Sequence, residues 1–374
     1  MKTLSILGTR PELIKMSEII KKLDKHTEHI FVHTGQNYDY ELNEIFYKDL
    51  GLRKPNYYLD CGGGSLAETY GKVMVEVEKV LIKEKPDAVV ILGDTNSAIG
   101  GIIAKRMKIP LFHLEAGNRC FDDNVPEEIN RRIIDHIADV NMVYTQNQRK
   151  YLTDEGLAKD RIFVMGSPMK EVLFGHAIEI ESSDVRDRMG LVHRGSAEVS
   201  YFVANLHRDE NTEIQENLDK LVESLNAIAD KYEMPIILSA HPRLRKKIEQ
   251  QDIKFNSMIR ILKPLGFFDY VHLQKYAKCV ISDSGTIAEE SSILDFPAIT
   301  IRNAVERPEA IDEGSLIMSG VDKESVLNCL DIALNSTESN MPPFDYDVDN
   351  CSERVLRVIL GYTPYVNRYV WRKK

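Results

Sequence analysis

Three acidic side chains follow apolar segments of strand length. Asp94 comes shortly after Ala88–Leu92, Glu115 comes directly after residues 110–114, and Glu127 opens a stretch of helical period. The carboxyl ends of parallel strands meet at one edge of a sheet, so we expect these carboxylates to lie close together. Clustered carboxylates shift one another's pKa values and suit general acid–base catalysis. The pattern therefore predicts proton transfer.

Two of these carboxylates also have a simple structural explanation. An Asp at the position of Asp94 commonly caps a helix, and a Glu in a first helical turn, such as Glu127, is favoured by the helix dipole. Glu115 has no obvious capping role. Arg131 lies four residues after Glu127 and is expected on the same helix face. The convergence of all three on one edge favours function.

Basic side chains stand beside two predicted anion sites. Arg10 follows the first strand at a helix N-terminus, where it could clamp a diphosphate or cap a neighbouring loop. In the second half, Ser284 and Gly285 precede a helix and would expose backbone N–H groups to an anion. A Walker lysine is absent there, so a P-loop is excluded. Glu290 could accept hydrogen bonds from ribose hydroxyls or lie on a solvated helix face.

Three histidines are candidates by their position, because His207 and His241 follow predicted strands and His113 lies near the end of one. A single His in that position is more often structural than catalytic. The sequence has no HExxH motif and no paired spacing of metal ligands, so we expect no metal.

Strand-length apolar runs alternate with helical segments along most of the chain, which predicts α/β architecture with parallel sheets. A polar stretch over residues 179–198 interrupts the alternation, and the alternation then restarts. We therefore predict two doubly wound, Rossmann-like domains facing one cleft. The N-terminal domain spans residues 1–170 and the C-terminal domain residues 171–354, with a helix over about 355–374 that packs back on the first domain.

The composition agrees with a two-domain globular protein. The chain has 374 residues, 43% of them hydrophobic and 28% charged. Its net charge of −10 argues against a nucleic-acid surface. The five cysteines form no CxxC pair, which favours free thiols. No apolar run approaches membrane-spanning length, and the N-terminus lacks a signal-peptide pattern, so we expect a cytoplasmic protein without membrane insertion.

Taken together, short motifs in both halves resemble the non-hydrolysing UDP-N-acetylglucosamine 2-epimerases. The resemblance runs from residue 1 to about residue 310, with the motifs in family order. They are Gly8-Thr9-Arg10-Pro11-Glu12 with Lys15, His33-Thr34-Gly35-Gln36, Gly93-Asp94-Thr95, His113-Leu114-Glu115-Ala116-Gly117, Pro126-Glu127-Glu128-Ile129-Asn130-Arg131, Asp283-Ser284-Gly285 with Glu289-Glu290, and Glu306-Arg307-Pro308-Glu309.

This resemblance implies a glycosyltransferase-B type fold, a homodimer, a UDP-sugar substrate and no cofactor. The implied catalytic residues are Asp94, Glu115, Glu127, Arg131 and His207. The implied substrate-binding residues are Arg10, Lys15, Ser284, Gly285, Glu290 and Arg307. Some bacterial members bind a second UDP-sugar as an activator, and the residues matching that site are Gln36, Arg208 and His241. The loop that this regulation would need near residues 62–66 is missing.

Other segments resemble one branch of the family, which makes UDP-N-acetyl-L-fucosamine from UDP-2-acetamido-2,6-dideoxy-L-talose for capsule or O-antigen. These segments are residues 36–43, 115–122 and 365–371. Alternative substrates are UDP-N-acetylglucosamine and a diacetamido uronic acid. Alternative functions are a glycosyltransferase of the same fold, a hydrolysing epimerase and a sugar-nucleotide sensor.

Overall fold

A computed structural model divides the chain into two compact units. Unit 1 comprises Met1–Gly175 and Phe344–Lys374, and unit 2 comprises His176–Pro343. The structure describes residues 1–35, 40–192, 198–336 and 341–373, without the side chains of residues 40–44 and 209. The predicted boundary after residue 170 falls inside a helix of unit 1 (Met169–Gly175). Residues 344–354, predicted in the second domain, belong to unit 1.

Unit 1 is built on a seven-stranded parallel sheet with the order β3-β2-β1-β4-β5-β6-β7. The inner strands are continuous apolar runs such as Ala-Val-Val-Ile-Leu, as expected of strands buried on both faces. The strands are β1 Lys2–Leu7, β2 Glu28–His33, β3 Tyr57–Tyr58, β4 Ala88–Leu92, β5 Leu111–Leu114, β6 Val140–Val143 and β7 Ile162–Val164.

Helices connect these strands. They are α1 Arg10–His26, α2 Tyr40–Asp49, α3 Leu66–Glu84, α4 Gly100–Arg106, α5 Pro126–Ile137, α6 Gln146–Asp154 and α7 Met169–Gly175, with 3₁₀ turns at Asn96–Ile99 and Lys159–Arg161. Helix α1 begins with Pro11 in its first turn, a position that proline favours. Its apolar side chains recur at helical spacing and are buried against the sheet.

Unit 2 contains a six-stranded parallel sheet with the order β10-β9-β8-β11-β12-β13. The strands are β8 Phe202–Leu206, β9 Ile236–Ala240, β10 Ile259–Leu262, β11 Cys279–Ser282, β12 Ala298–Thr300 and β13 Ile317–Met318. The helices are α8 Ala177–Glu181, α9 Val185–Arg188, α10 Asp209–Thr212, α11 Gln215–Tyr232, α12 Pro242–Gln250, α13 Phe267–Lys275, α14 Ile287–Leu294, α15 Glu309–Asp312 and α16 Lys323–Asn335.

The last helix, α17 (Cys351–Tyr365), belongs to unit 1 and continues as a π-helical turn over Val366–Val370. Cys351, Val355 and Ile359 lie in the same apolar cluster as residues of α1 and the sheet. Pro364 stands near the end of the helix.

Both sheets have the doubly wound order, so the prediction of two Rossmann-like α/β domains is confirmed. In such sheets ligands bind where the strand order reverses. This switch point lies between β1 and β4 in unit 1 and between β8 and β11 in unit 2.

Within the described parts of the chain, no helix is long and apolar enough to span a bilayer. The same residues contain no cluster of three or more His, Cys, Asp or Glu side chains that could hold a metal ion. All five cysteines are free thiols.

Candidate active site

Asp94 lies just beyond β4, beside the switch point of unit 1, and contacts Arg131. The Arg131 Nε and Nη2 atoms are 2.9 and 2.8 Å from Asp94 Oδ2. Thr95 caps the following 3₁₀ turn by accepting a hydrogen bond from the Ser97 N–H, so Asp94 is not the cap. Arg131 is buried and also contacts Glu128, with Nη1 2.9 Å from Oε2.

Glu115 directly follows β5 and takes part in a buried cluster. Its Oε2 lies 2.7 Å from Lys15 Nζ and accepts the Tyr144 hydroxyl at 3.1 Å, while Oε1 accepts the Asn118 side-chain amide at 3.3 Å. The Lys15 ammonium also lies 5.8 Å from the centre of the Tyr144 ring. Three donors therefore fix the carboxylate.

The backbone of Glu115 is in the left-handed region, at φ 66°. Residues with a side chain rarely adopt this conformation, and each such residue costs of order 1–3 kcal/mol. The following turn needs Gly117, because a Cβ there would meet the Gln148 carbonyl oxygen at 2.7 Å. The strained backbone turns Glu115 toward Lys15.

Two further predicted residues lie on the same edge of the sheet. Arg10 begins α1, directly after the β1 turn, and its guanidinium is 5.7 Å from the centre of the Phe46 ring. Glu127 is half-buried in the first turn of α5. Burial is the main cause of the raised Tyr70 pKa, and the Glu127 charge raises it further. Within α5, Arg131 contacts Glu128, three residues before it.

Glu128 is fully buried at the start of α5. Burial by itself raises the pKa of a carboxyl group, but the Cys120 N–H and the Arg131 charge outweigh it and lower the pKa of Glu128.

A second set of buried side chains forms hydrogen bonds that hold the C-terminal ends of β4 and β5. His113 contacts the Gly93 carbonyl oxygen through Nε2 at 2.8 Å and Asp135 through Nδ1 at 2.9 Å. A carbonyl oxygen only accepts, so His113 donates in that contact through an Nε2–H group. Asp135 also accepts from the Gly117 N–H and from Arg119. His113 is thus a structural residue beneath the Asp94 turn.

In unit 2, His207 and Asp283 face each other across the switch point. His207 follows β8, Asp283 follows β11, and His207 Nδ1 lies 2.7 Å from Asp283 Oδ1. Burial alone raises the Asp283 pKa, but the His207 charge and the His207 and Arg208 N–H groups lower it to about 2. His207 itself is 37% exposed, so its ring remains open to a ligand.

Ser284 and Gly285 form the turn before α14. The Ser284 N–H donates to Ser282 Oγ, and the Gly285 carbonyl accepts from Arg307 Nη1 at 2.9 Å. Arg307 Nη1 is also 2.6 Å from Oε2 of Glu289, which is fully buried. A Cβ on Gly285 would stand 3.4 Å from Arg208 Nη2, so two guanidinium groups flank this turn.

The remaining predicted residues of unit 2 lie nearby. Glu290 is buried and accepts the Gln274 amide at 2.8 Å, so it does not lie on a solvated face. Arg208 Nη2 is 3.6 Å from Glu306. His241 caps α12 and lines a small hollow that it shares with His207. Gln36 lies outside the described residues.

Sequence reasoning gave no role to Glu12, Asn118 or Tyr144. Glu12 was recognisable as the third residue after Thr9 in a capping-box pattern. Tyr144 directly follows β6, so the strand-end rule could have found it. Asn118 carries no such signal.

Cation-paired carboxylates lie at the ends of the adjacent strands β4 and β5, beside the switch point of a doubly wound sheet. This arrangement agrees with the family that the sequence motifs suggest. The family model described as UDP-N-acetylglucosamine 2-epimerase matches residues 21–360. The chain belongs to this family. The prediction of an isomerase is thereby confirmed, since the family and its members are UDP-sugar 2-epimerases.

Three relatives show how far the similarity extends. The UDP-N-acetylglucosamine 2-epimerase structure from Rickettsia bellii is 47% identical, covers 100% of both chains and has a TM-score of 0.92. The enzyme of that name from Methanocaldococcus jannaschii is 38% identical over 98% of this chain and 100% of its own. A UDP-2,3-diacetamido-2,3-dideoxy-D-glucuronate 2-epimerase from Pseudomonas aeruginosa is 32% identical over 90% and 93%.

Proposed function

We propose that this epimerase inverts C2 of a UDP-2-acetamido sugar by eliminating and re-adding UDP. The observation that carries the proposal is the pair of carboxylates at the ends of β4 and β5, where Asp94 contacts Arg131 and Glu115 contacts Lys15. These strands are neighbours in register, with Leu92 opposite Leu114, so both residues lie at the same edge of the sheet.

The C2 hydrogen is not adjacent to a carbonyl carbon, so simple deprotonation is very difficult. Loss of the C2 proton to a carboxylate, together with cleavage of the C1–O bond, gives a 2-acetamidoglycal, and the bonding pair leaves on the UDP oxygen. Protonation of C2 from the opposite face and return of UDP to C1 give the epimer. Two faces need two acid–base groups or one that moves, and Asp94, Glu115 and Glu127 are the candidates.

Cations would stabilise the departing diphosphate, as preorganised charges do in a site that excludes water. We assign Arg10, Lys15 and Arg131 in unit 1 and His207 in unit 2 to this role. Ser284, Gly285, Glu290 and Arg307 are assigned to the UDP moiety. The solved Methanocaldococcus jannaschii relative, 37% identical with a TM-score of 0.90, is described in complex with UDP-GlcNAc and UDP.

For the sugar we propose UDP-2-acetamido-2,6-dideoxy-L-talose, converted to UDP-N-acetyl-L-fucosamine for capsule or O-antigen. Residues 115–122 and 365–371 support this choice by their resemblance to that branch, whereas residues 36–39 lie outside the described part. The second candidate is UDP-N-acetylglucosamine, which the names of the Rickettsia and Methanocaldococcus relatives favour. The homodimer, the cytoplasmic location and a second UDP-sugar site at Gln36, Arg208 and His241 stay predictions.

Proton NMR in D₂O tests the proposal. Purified enzyme receives UDP-N-acetylglucosamine in one tube and UDP-2-acetamido-2,6-dideoxy-L-talose in another. Deuterium at C2 and an inverted product in the second tube alone would support the fucosamine assignment. Inversion in the first tube would favour the second candidate. Glu115→Gln should abolish either signal, and Glu18→Gln, which removes an ion pair with Lys21 on α1, should preserve it.

No exchange in either tube, with UDP still bound by calorimetry, would refute the elimination chemistry for both sugars. Free sugar and UDP as final products would instead show a hydrolysing epimerase.

A further inference from the structure

Glu12 joins two turns that carry proposed active-site residues. Its Oε2 accepts the Gly8 N–H at 2.9 Å, the Thr9 N–H at 2.7 Å and the Thr9 hydroxyl at 2.8 Å. Its Oε1 lies 2.9 Å from the Thr95 hydroxyl. Gly8 and Thr9 follow β1, whereas Thr95 follows β4, so this one side chain spans the switch point of unit 1.

Helix capping accounts for only part of this arrangement. Glu68 has the corresponding capping position in α3 and accepts the Ser65 N–H at 2.6 Å. That contact is exposed at the surface. Glu12, by contrast, is 2% exposed and adds a bond to Thr95 in another turn, 83 residues along the chain. The hydrogen bond to Thr95 satisfies no backbone N–H group at the start of α1.

The bridge can persist in both protonation states of Glu12. The Gly8 and Thr9 N–H groups only donate, so Oε2 must accept. The Thr95 hydroxyl can donate to an ionised Oε1 or accept a proton from a neutral one. Burial raises the Glu12 pKa to about 7, so both states are accessible near neutral pH.

The residues next to this bridge are those proposed to act on the substrate. Arg10 directly follows Thr9, and Asp94 directly precedes Thr95. Gly8 lets the two turns approach, because a Cβ there would overlap the Ser97 hydroxyl at 2.0 Å. Any shift of one turn relative to the other would change the distance between Arg10 and Asp94.

We propose that Glu12 is a positioning residue that fixes the Arg10 turn relative to the Asp94 turn through Thr95. The inference rests on the proposed function, because it takes Arg10 and Asp94 as groups that act on the substrate.

Steady-state kinetics of matched variants test this role. Glu12→Ala and Thr95→Val remove the bridge, and a displacement near 1 Å lowers kcat by up to ~10²-fold. KM and the Kd for UDP should change less than kcat, because the UDP contacts assigned to Ser284, Gly285, Glu290 and Arg307 in unit 2 remain. Glu12→Gln should keep kcat near that of wild type, since its amide oxygen accepts from the backbone and its NH₂ donates to Thr95. Thr95→Ser should also keep it.

Glu68→Ala is the control for capping alone and should lower the melting temperature without lowering kcat. If Glu12→Ala fails to fold, Thr95→Val against Thr95→Ser decides the question. Equal kcat in wild type and Thr95→Val would overturn the proposal. A Glu12→Gln variant as impaired as Glu12→Ala would also overturn it, because the charge itself would then be required.

Failure of the proposed function has a different signature. An inactive wild type overturns both the function and the positioning role. An active wild type that loses turnover with Asp94→Asn but retains it with Glu12→Ala and Thr95→Val overturns the positioning role alone.

Discussion

Each cation beside the two strand-end carboxylates comes from a helix. Arg131 reaches Asp94 from α5, and Lys15 reaches Glu115 from α1. Both cations are almost fully buried. Removal of one partner of a buried pair leaves the other charge without compensation, so truncating either cation would damage folding as well as activity. Conservative changes of the carboxylates are therefore the cleaner test.

We expect Asp94→Asn, Glu115→Gln and Glu127→Gln each to lower turnover by at least ~10²-fold, because each removes a group proposed to transfer a proton. UDP binding should persist, since each variant keeps the cations proposed for the diphosphate and the UDP contacts assigned to unit 2. Single-turnover kinetics and calorimetry measure the two effects separately. Near-normal turnover in one variant would remove that residue from the mechanism.

Glu12 should make the protein less stable as the pH rises. Its folded pKa is about 7 and its ordinary value 4.5, so the folded state holds the proton more tightly. The stabilisation that protonated Glu12 gives the folded protein is complete below about pH 4.5 and is lost as the pH rises through 7. At 1.36 kcal/mol per pKa unit the loss is about 3 kcal/mol.

Urea unfolding at several pH values compares wild type with Glu12→Gln, which cannot titrate. As the pH rises from 5 to 8, the free energy of unfolding of the wild type should fall relative to that of the variant. A difference that stays constant over this range would show that Glu12 does not titrate there.

The loops that carry the candidate site could be predicted from the sequence, but the ion pairs formed by their side chains could not. Strand ends are recognisable because apolar runs stop there, and this predicted where Asp94 and Glu115 lie. The pairing of Lys15 with Glu115 depends on how α1 is rotated against the sheet, which no local pattern specifies. Likewise, residues three and four apart share a helix face, so spacing alone does not predict the contact of Arg131 with Glu128 within α5.

At the scale of elements, α17 contributes to the unit 1 core although it lies more than 175 residues beyond the other helices of that unit. Its Ile359 is fully buried in the unit 1 cluster, whereas the adjacent Leu360 is 39% exposed. These two residues provide a matched pair for measuring what the helix adds.

Ile359→Ala should lower the free energy of unfolding by about 2–5 kcal/mol, because it leaves a cavity in a packed core. Leu360→Ala, in the same helix turn, should change it by about 0.5 kcal/mol or less. Chemical denaturation followed by circular dichroism measures both. Similar losses in the two variants would mean that α17 does not pack on unit 1 as described.

Elements with a clear apolar run or periodicity could be predicted, and the shortest ones could not. The apolar runs of β4 and β5 and the spacing of α1 were sufficient for their prediction. The two-residue strands β3 and β13 contain too few residues to show any alternation. The segment after β4 is divided into a 3₁₀ turn over Asn96–Ile99, capped by Thr95, and α4, a division that no periodicity marks.

At the scale of the whole molecule, four of the five thiols are buried, and those of Cys61, Cys279 and Cys351 lie in three separate apolar clusters. Burial raises the pKa of Cys61 and Cys120 to about 11 and that of Cys279 to about 12. Cys351 is also buried, and Cys329 is only half-buried. A thiol reacts as the thiolate, so the buried cysteines should react slowly.

We expect an aromatic disulfide reagent to modify one thiol rapidly in the native protein and all five in denaturant. Cys329→Ser should remove the rapid phase, and Cys279→Ser should leave it unchanged. Rapid modification of several thiols under native conditions would contradict the burial described for the other four cysteines.

The left-handed backbone at Glu115 sets two effects against each other when this residue is replaced. Glycine would adopt that conformation without penalty, which relieves about 1–3 kcal/mol of strain. Glu115→Gly also leaves the buried Lys15 ammonium without its carboxylate, which costs about 3–5 kcal/mol. A library screened only for heat resistance should therefore not enrich this change, so the carboxylate would survive even where no activity is demanded of the protein.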